Sequence, residues 1–511
     1  MQYMYLFRIL AVAGWLIAGF TAAGQDNITL LFAGDVMNNK PQLTAAYRPA
    51  TDTYDYHTCF QYIKPVIEQA DVAIANLELT LPGKPPYTGF PLFRTPDVMA
   101  DALKYAGFDA LVTANNHAND SGPDGVLHTI EVVRGLGFLQ TGTFKDSSDR
   151  RQHCPLLIEK NGFTIALLNY TFHTNGIGTT PPVIVSRIDR KQIAADVAAA
   201  QNLAADLIVA FFHWGEEYKN TENAYQREWA QTAANLGVDM VIGAHPHVVQ
   251  PVKMLTAKRP DGTQKQVPVA YSLGNFISNA ISTNTSVGLM LQTRLTRDTL
   301  TCQTTVSEMH YLPVWRYLET KMANKRIKNT YYALPASAFG ADTLNLLQMA
   351  PAPFKQLTDA LALARRVLQG SIASEKYTTV QQVFGKEWEN LACSAQENRQ
   401  QKQQQKPLIA AAGGTAPPLT AEIGAATTPA TAATAQTDKT YKIQFMACRT
   451  ANLANHPFDN VSIEKNEQGW YRYLSGNFTS ASAAQKHLQK VKLKGYDQAF
   501  IAMYENNRRI N

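Results

Sequence analysis

A chain of 511 residues is long enough for more than one domain. Its 45% apolar and 17% charged residues are ordinary for a soluble globular protein. A formal charge of +6 is small for this length, and no aromatic-basic repeat accompanies it, so no nucleic-acid partner is expected.

The amino end reads as a targeting segment rather than as fold. Arg8 precedes an apolar run from Ile9 to Phe20, and the small residues Thr21, Ala22, Ala23 and Gly24 follow. This pattern predicts a secretory signal peptide over 1–24, or an uncleaved anchor reaching back to Met4. The run is short for a membrane span, which needs about 20 apolar residues. The chain is therefore expected to be exported, periplasmic or associated with the cell envelope. The cysteines Cys59, Cys154, Cys302, Cys393 and Cys448 show no Cys-x-x-Cys spacing, which argues against a zinc site and a disulfide framework.

From residue 26 to about 309, apolar runs alternate with helical patterns, and most runs end on polar residues. Residues 28–33 lead into Gly34-Asp35, and 72–75 into Asn76-Leu77-Glu78. Residues 108–114 lead into Asn115-Asn116-His117, and 207–212 into His213-Trp214-Gly215. Val241-Ile242 leads into Gly243-Ala244-His245-Pro246-His247, and 269–271 into Ser272-Leu273-Gly274-Asn275-Phe276. Short apolar runs of this kind predict buried strands. Helical spacing is present over 59–70, 97–106, 122–136, 191–202 and 224–236. Strand, helix and strand in alternation predict a layered α/β domain. In such folds ligands gather beyond the carboxyl ends of the strands. Asp, Glu, Asn and His converging there would make a nitrogen- and oxygen-rich site suited to Mn, Fe, Zn or Mg.

Those six motifs, in that order, resemble the CapA family of bacterial capsule-synthesis and poly-γ-glutamate-biosynthesis proteins, within the metallophosphatase superfamily. The resemblance covers roughly residues 26–309. It implies an α/β/β/α sandwich with divalent metal ions, two in number, held by Asp35, Glu78, Asn116, His213, His245 and His247. It further implies that His117 donates a proton to a leaving group; Asp120, three residues on, is positioned in the sequence to orient it. Phosphoester hydrolysis in the service of a cell-surface polymer is the expected chemistry, with polymer-synthase subunits as possible partners. A non-enzymatic scaffold of a polymer synthesis or export complex is the alternative. Met37 stands where the wider superfamily has a metal-binding histidine, and a thioether is a poor ligand for hard divalent ions.

Residues 310–400 read as a helical extension, with helical spacing over 341–349 and 354–368. Residues 401–439 are Gln-, Ala-, Thr- and Pro-rich and predict a disordered linker. Residues 440–511 are globular again, with strand-like Tyr441-Lys442-Ile443-Gln444-Phe445, a second strand over 470–478, helical spacing over 480–493 and a closing strand at 499–502. This small α+β pattern resembles a SPOR domain, a peptidoglycan-binding module. The resemblance implies that a sheet face meets peptidoglycan glycan strands, and Gln444, Arg472 and Phe478 are the expected contacts.

Overall fold

The computed structural model describes residues 26–298, 301–323, 326–340, 343, 351–385, 439–448, 461–465, 471–493, 499–505 and 508–509. The signal peptide expected over 1–24, nearly all of the helix expected over 341–349 and the linker up to residue 438 lie outside them. The described residues fall into two compact units, one made of most of 26–385 and one from 439 on.

The strand Asp26–Val36 (β1) shows how the larger unit is layered. Side chains alternate along a strand, so Ile28, Leu30 and Phe32 face one way and Leu31 and Ala33 the other. Both sets are buried. The first set packs against Leu167, Val209, Phe211 and Ile242 of a second sheet. The second set packs against Met99 and Leu103 of the helix Val98–Ala106. Val72–Leu77 (β2), Ala110–Val112 (β3) and Leu139–Thr141 (β4) continue the sheet in parallel from β1.

The second sheet comprises Leu156–Lys160 (β5), Phe163–Thr171 (β6), Leu207–His213 (β7), Met240–Ala244 (β8), Val252–Lys258 (β9) and Gln264–Ala270 (β10), in the order β9-β10-β8-β7-β6-β5. Its inner strands β6, β7, β8 and β10 are parallel. Their far face carries Ala210 and Phe212, covered by Ile193 and Val197 of helix Arg190–Asn202 and by Ala230 and Ala233 of helix Ala224–Leu236. The latter helix starts on a capping box between Asn223 and Gln226, which satisfies otherwise unpaired amides at the helix start. Helix, sheet, sheet and helix give the four-layer α/β/β/α sandwich.

The chain then returns to the first sheet. Asn275–Ile277 (β11) runs parallel beside β1. Val287–Arg297 (β12) pairs antiparallel with β1, and Thr304–Ala323 (β13) and Arg326–Pro335 (β14) extend the same sheet. Ser374–Glu375 (β15) adds a short parallel edge to β13. This corrects the helical extension expected from residue 310, and the expected boundary at 309 falls inside β13. Side-chain packing decides the matter: Trp315, Tyr317, Tyr331 and Tyr332 are buried in the core beneath the first sheet, and aromatics favour the pleated surface. Helical structure does follow at Pro351–Val367, which buries Leu357, Ala360 and Ala364 in that core. The helix expected over 59–70 is also broken up, into a 3-10 turn at His57–Phe60 and a single turn at Lys64–Ile67 with Pro65 at its start.

In the smaller unit Lys439–Cys448 (β16), Val461–Lys465 (β17), Tyr471–Phe478 (β18), Phe500–Glu505 (β19) and Arg508–Arg509 (β20) form one sheet in the order β17-β18-β16-β19-β20. Helix Ala481–Leu493 covers one face, packing Ala484, Leu488 and Val491 on Ile443, Phe445 and Tyr473.

Because β13 carries part of the core, a chain ended after Met309 is expected to leave the long strand β12 as a frayed edge and to aggregate, whereas a chain ended after residue 385 stays monodisperse. Size-exclusion chromatography of the two truncations checks this.

Candidate metal centre

The carboxyl ends of β1, β2, β7 and β8 meet at one end of the sandwich. Gly34 lets β1 approach closely: a Cβ there would lie 1.9 Å from the Gly274 carbonyl oxygen. The next residue, Asp35, is fully buried, and its amide donates to that same carbonyl at 2.9 Å. β2 delivers Asn76 and, one step beyond its end, Glu78. The loop after β3 carries Asn115, Asn116 and His117, and β7 ends on His213. Just past β8, His245 and His247 adopt left-handed backbone conformations, with φ of 96° and 58°. Such conformations cost about 1–3 kcal/mol each for non-glycine residues and cluster at functional sites.

The sequence-predicted donors come together. His213 Nε2 lies 2.6 Å from Asn116 Oδ1, 3.2 Å from His245 Nδ1 and 3.6 Å from Glu78 Oε1. His247 Nδ1 lies 3.2 Å from Asp35 Oδ2 and 3.1 Å from Asn275 Oδ1. Asn76 Nδ2 donates to Asp35 Oδ1 at 2.7 Å. Two groupings have ligand atoms near enough to share an ion: Glu78 with His245 and His247, and Asp35 with Glu78 and His213. Donors bound about 2.0–2.2 Å from one ion stand about 3–4 Å apart, so the separations suit divalent coordination.

Glu78 makes the strongest case for a cation. Its side chain has no exposure, and both carboxylate oxygens are without a hydrogen-bond partner among the described residues. A buried carboxylate without donors is costly unless a cation meets it. Burial first, then Asp35 and Glu217, push its pKa well above the usual carboxylate range. Burial and neighbouring imidazoles hold His213 and His245 well below the ordinary histidine range, which keeps them neutral and able to ligate. For His247 burial pulls downward, but the Asp35 hydrogen bond and charge outweigh it and raise the pKa.

His117 is also buried, and its Nδ1 lies 2.7 Å from Asp120 Oδ2, which also accepts from the Phe93 amide at 2.6 Å. The Phe93 ring packs edge-on against the imidazole at 4.4 Å between centroids. Nε2 is turned toward Asn175, at 3.4 Å. Met37 packs in the apolar core under the first sheet. Trp214 is core too, its indole donating to the Tyr271 carbonyl at 3.0 Å.

Three neighbours lie outside the donor set expected from the sequence. His173 sets its ring edge-on to His245 at 5.6 Å between centroids, and Asn175 links Asn116 to His117. Glu217 Oε1 stands 4.0 Å from His247 Nε2. The first two come from a loop after β6, where the strand runs on without a polar stop; nothing in the spacing marks them.

In the smaller unit the face away from the helix carries Gln444, half-buried and bonded to Arg509 at 2.7 Å, together with Arg472, whose strand neighbour Leu474 pairs with Gln444. Phe478 lies on the other side, against His487 of the helix at 5.1 Å between rings. Simple alternation would put Phe478 on the face of Arg472. Gly476, with φ of 73°, breaks the alternation and turns it over.

Two sheets lie face to face, with helices outside and nitrogen and oxygen donors at their shared carboxyl end. Residues 29–280 match the family model for the bacterial capsule synthesis protein PGA_cap, and residues 439–502 match the SPOR domain. The larger unit is thus similar to the PGA_cap family, and the smaller to the SPOR domain. The PGA biosynthesis protein CapA of Bacillus subtilis is 27% identical over 281 residues, covering 53% of this chain and 69% of that protein. The capsule biosynthesis protein CapA of Bacillus anthracis is 27% identical over 308 residues, covering 56% and 70%. Among solved structures, a calcineurin-like phosphoesterase from Bacillus subtilis is 14% identical with a TM-score of 0.34, covering 67% of this chain and 100% of that one. A phosphatase from Mycoplasma pneumoniae is 15% identical with a TM-score of 0.32, covering 57% and 95%.

Ion uptake should release protons. Glu78 and His247, both with raised pKa, hold a proton more tightly than ordinary groups of their kind and must give it up to ligate. Affinity for Mn²⁺ or Zn²⁺ is therefore expected to fall as pH falls, and calorimetry in buffers of different ionisation enthalpy should count the released protons. His247→Ala should lower the metal content of the purified protein.

Proposed function

We propose that this protein acts in the cell envelope as a metal-dependent phosphoesterase in the synthesis or attachment of a capsule-like polymer, with its SPOR domain bound to peptidoglycan glycan strands. The observation that carries the reading is the fully buried carboxylate of Glu78, without a hydrogen-bond partner among the described residues and close to His213, His245 and His247. Asp35, Glu78, Asn116, His213, His245 and His247 would hold two divalent ions. When bound, such a pair activates a water and clamps phosphoryl oxygens. His117 then has a definite task. Asp120 holds Nδ1, so Nε2 faces outward and can give a proton to the leaving oxygen of the ester. Phe93 closes off one side of the imidazole and keeps water from that face.

The family match and the CapA relatives support the polymer setting. The SPOR match supports an envelope location, and the expected signal peptide agrees with it. A scaffold reading, in which the metal serves structure alone, is favoured by one observation: Met37 sits in apolar packing where the wider superfamily expects a ligand.

Turnover of an aryl phosphate by the protein loaded with Mn²⁺ or Zn²⁺ tests the choice. His117→Ala should cut kcat by roughly 10²–10⁴, the usual value of a general acid, with little change in metal content. A wild-type protein that holds metal and turns over no phosphoester is the result expected of a scaffold.

For the SPOR domain, the expectation is that Gln444→Ala with Arg472→Ala weakens retention of the full chain on isolated sacculi. Phe478→Ala should act instead through stability, because its ring packs on the helix side. Sacculus pull-down alongside thermal melting separates the two effects.

A further inference from the structure

We infer that Glu217 is a metal ligand of this centre and supplies the donor that Met37 does not. The inference rests on the metal-binding reading above and extends its ligand set. Met37 is only 7% exposed and belongs to the apolar cluster under the first sheet, so its sulfur offers nothing to a hard cation. The ligand set thus lacks the donor that a histidine at this position would supply.

Glu217 comes from the loop that follows β7. His247 Nδ1 is engaged by Asn275 Oδ1 at 3.1 Å and Asp35 Oδ2 at 3.2 Å. A histidine held at one nitrogen by oxygen acceptors presents the other as a ligand. That other nitrogen, Nε2, faces two carboxylates: Glu78 Oε1 at 3.9 Å and Glu217 Oε1 at 4.0 Å. Both distances match the spacing of donors about one common ion. The buried Glu78 oxygens, unpartnered among the described residues, independently point to a cation at this place.

The segment carrying Glu217 is fastened to the histidine turn. The Tyr218 amide donates to the Pro246 carbonyl at 2.8 Å, and Tyr218 takes a left-handed φ of 66° to do so. Asn220 Nδ2 donates to the Val249 carbonyl at 3.0 Å. The adjacent Glu216 is directed elsewhere, with Lys219 at 3.8 Å. Among the described residues the ion-pair distance of the Glu217 carboxylate is to His247. Charge argues the same way: two dications against Asp35 and Glu78 leave an excess of positive charge that a third carboxylate reduces.

The test is titration of the metal-stripped full-length protein with Mn²⁺ alone, comparing wild type, Glu217→Gln and Glu216→Gln. Glu217→Gln is expected to weaken one Mn²⁺ step by roughly tenfold or more, while Glu216→Gln titrates as wild type. Equal titration of Glu217→Gln and wild type overturns the assignment. Wild type taking up a single Mn²⁺ overturns the two-ion reading, and Glu217 is then judged by whether its substitution weakens that one step. Glu217→His adds a spectroscopic signature. A nitrogen ligand in place of oxygen should change the visible absorption of the Co²⁺-loaded protein, and an unchanged spectrum places residue 217 outside the coordination shell and overturns the inference.

Discussion

Glu78 is a fully buried carboxylate with no hydrogen-bond partner among the described residues, set where the ends of two sheets converge. A group of that kind destabilises a fold unless something positive meets it. Much of the surrounding architecture serves that meeting. β1 lays Asp35 beside it, β7 ends on His213, and the turn after β8 accepts two left-handed histidines. The sandwich confines the polar residues to one end of the strands, while Phe32, Val209, Phe211 and Ile242 fill the space between the sheets. The centre and the core thus impose opposite demands on adjacent stretches of the same strands. The switch between them is sharp: Ala33 belongs to the core, and Asp35 to the site.

That sharpness is why so much of the site was legible in the sequence. A buried strand that stops on Asp, Asn-His or His-x-His leaves a visible edge between apolar and polar residues, as at Gly34-Asp35 and Gly243-Ala244-His245. Glu217 left no such edge. It follows Glu216 in a polar loop, and two adjacent glutamates read alike until the backbone sends one to Lys219 and the other to His247. His173 and Asn175 were hidden for a related reason, since the strand before them continues smoothly through Asn169, Tyr170 and Thr171.

The strands β13 and β14 were missed because the sequence beyond residue 310 mixes aromatic, charged and small residues without clean alternation. Their strand character comes from pairing with β12 and from Trp315 stacking on Tyr317, tertiary contacts that no local period announces. Phe478 teaches the converse lesson. There the alternation was readable, and a single glycine at positive φ overrode it.

The pairing of β1 with β12 carries a consequence for how the chain comes into being. Asp26 lies opposite Arg297, and the register runs unbroken to Ala33 opposite Met290. A chain that emerges amino end first therefore exposes one side of its first strand through the arrival of nearly everything else in the unit. Contacts so distant in sequence close slowly. A polypeptide built this way keeps that side of its first strand open until residues 287–297 have been made, and its sandwich shuts late.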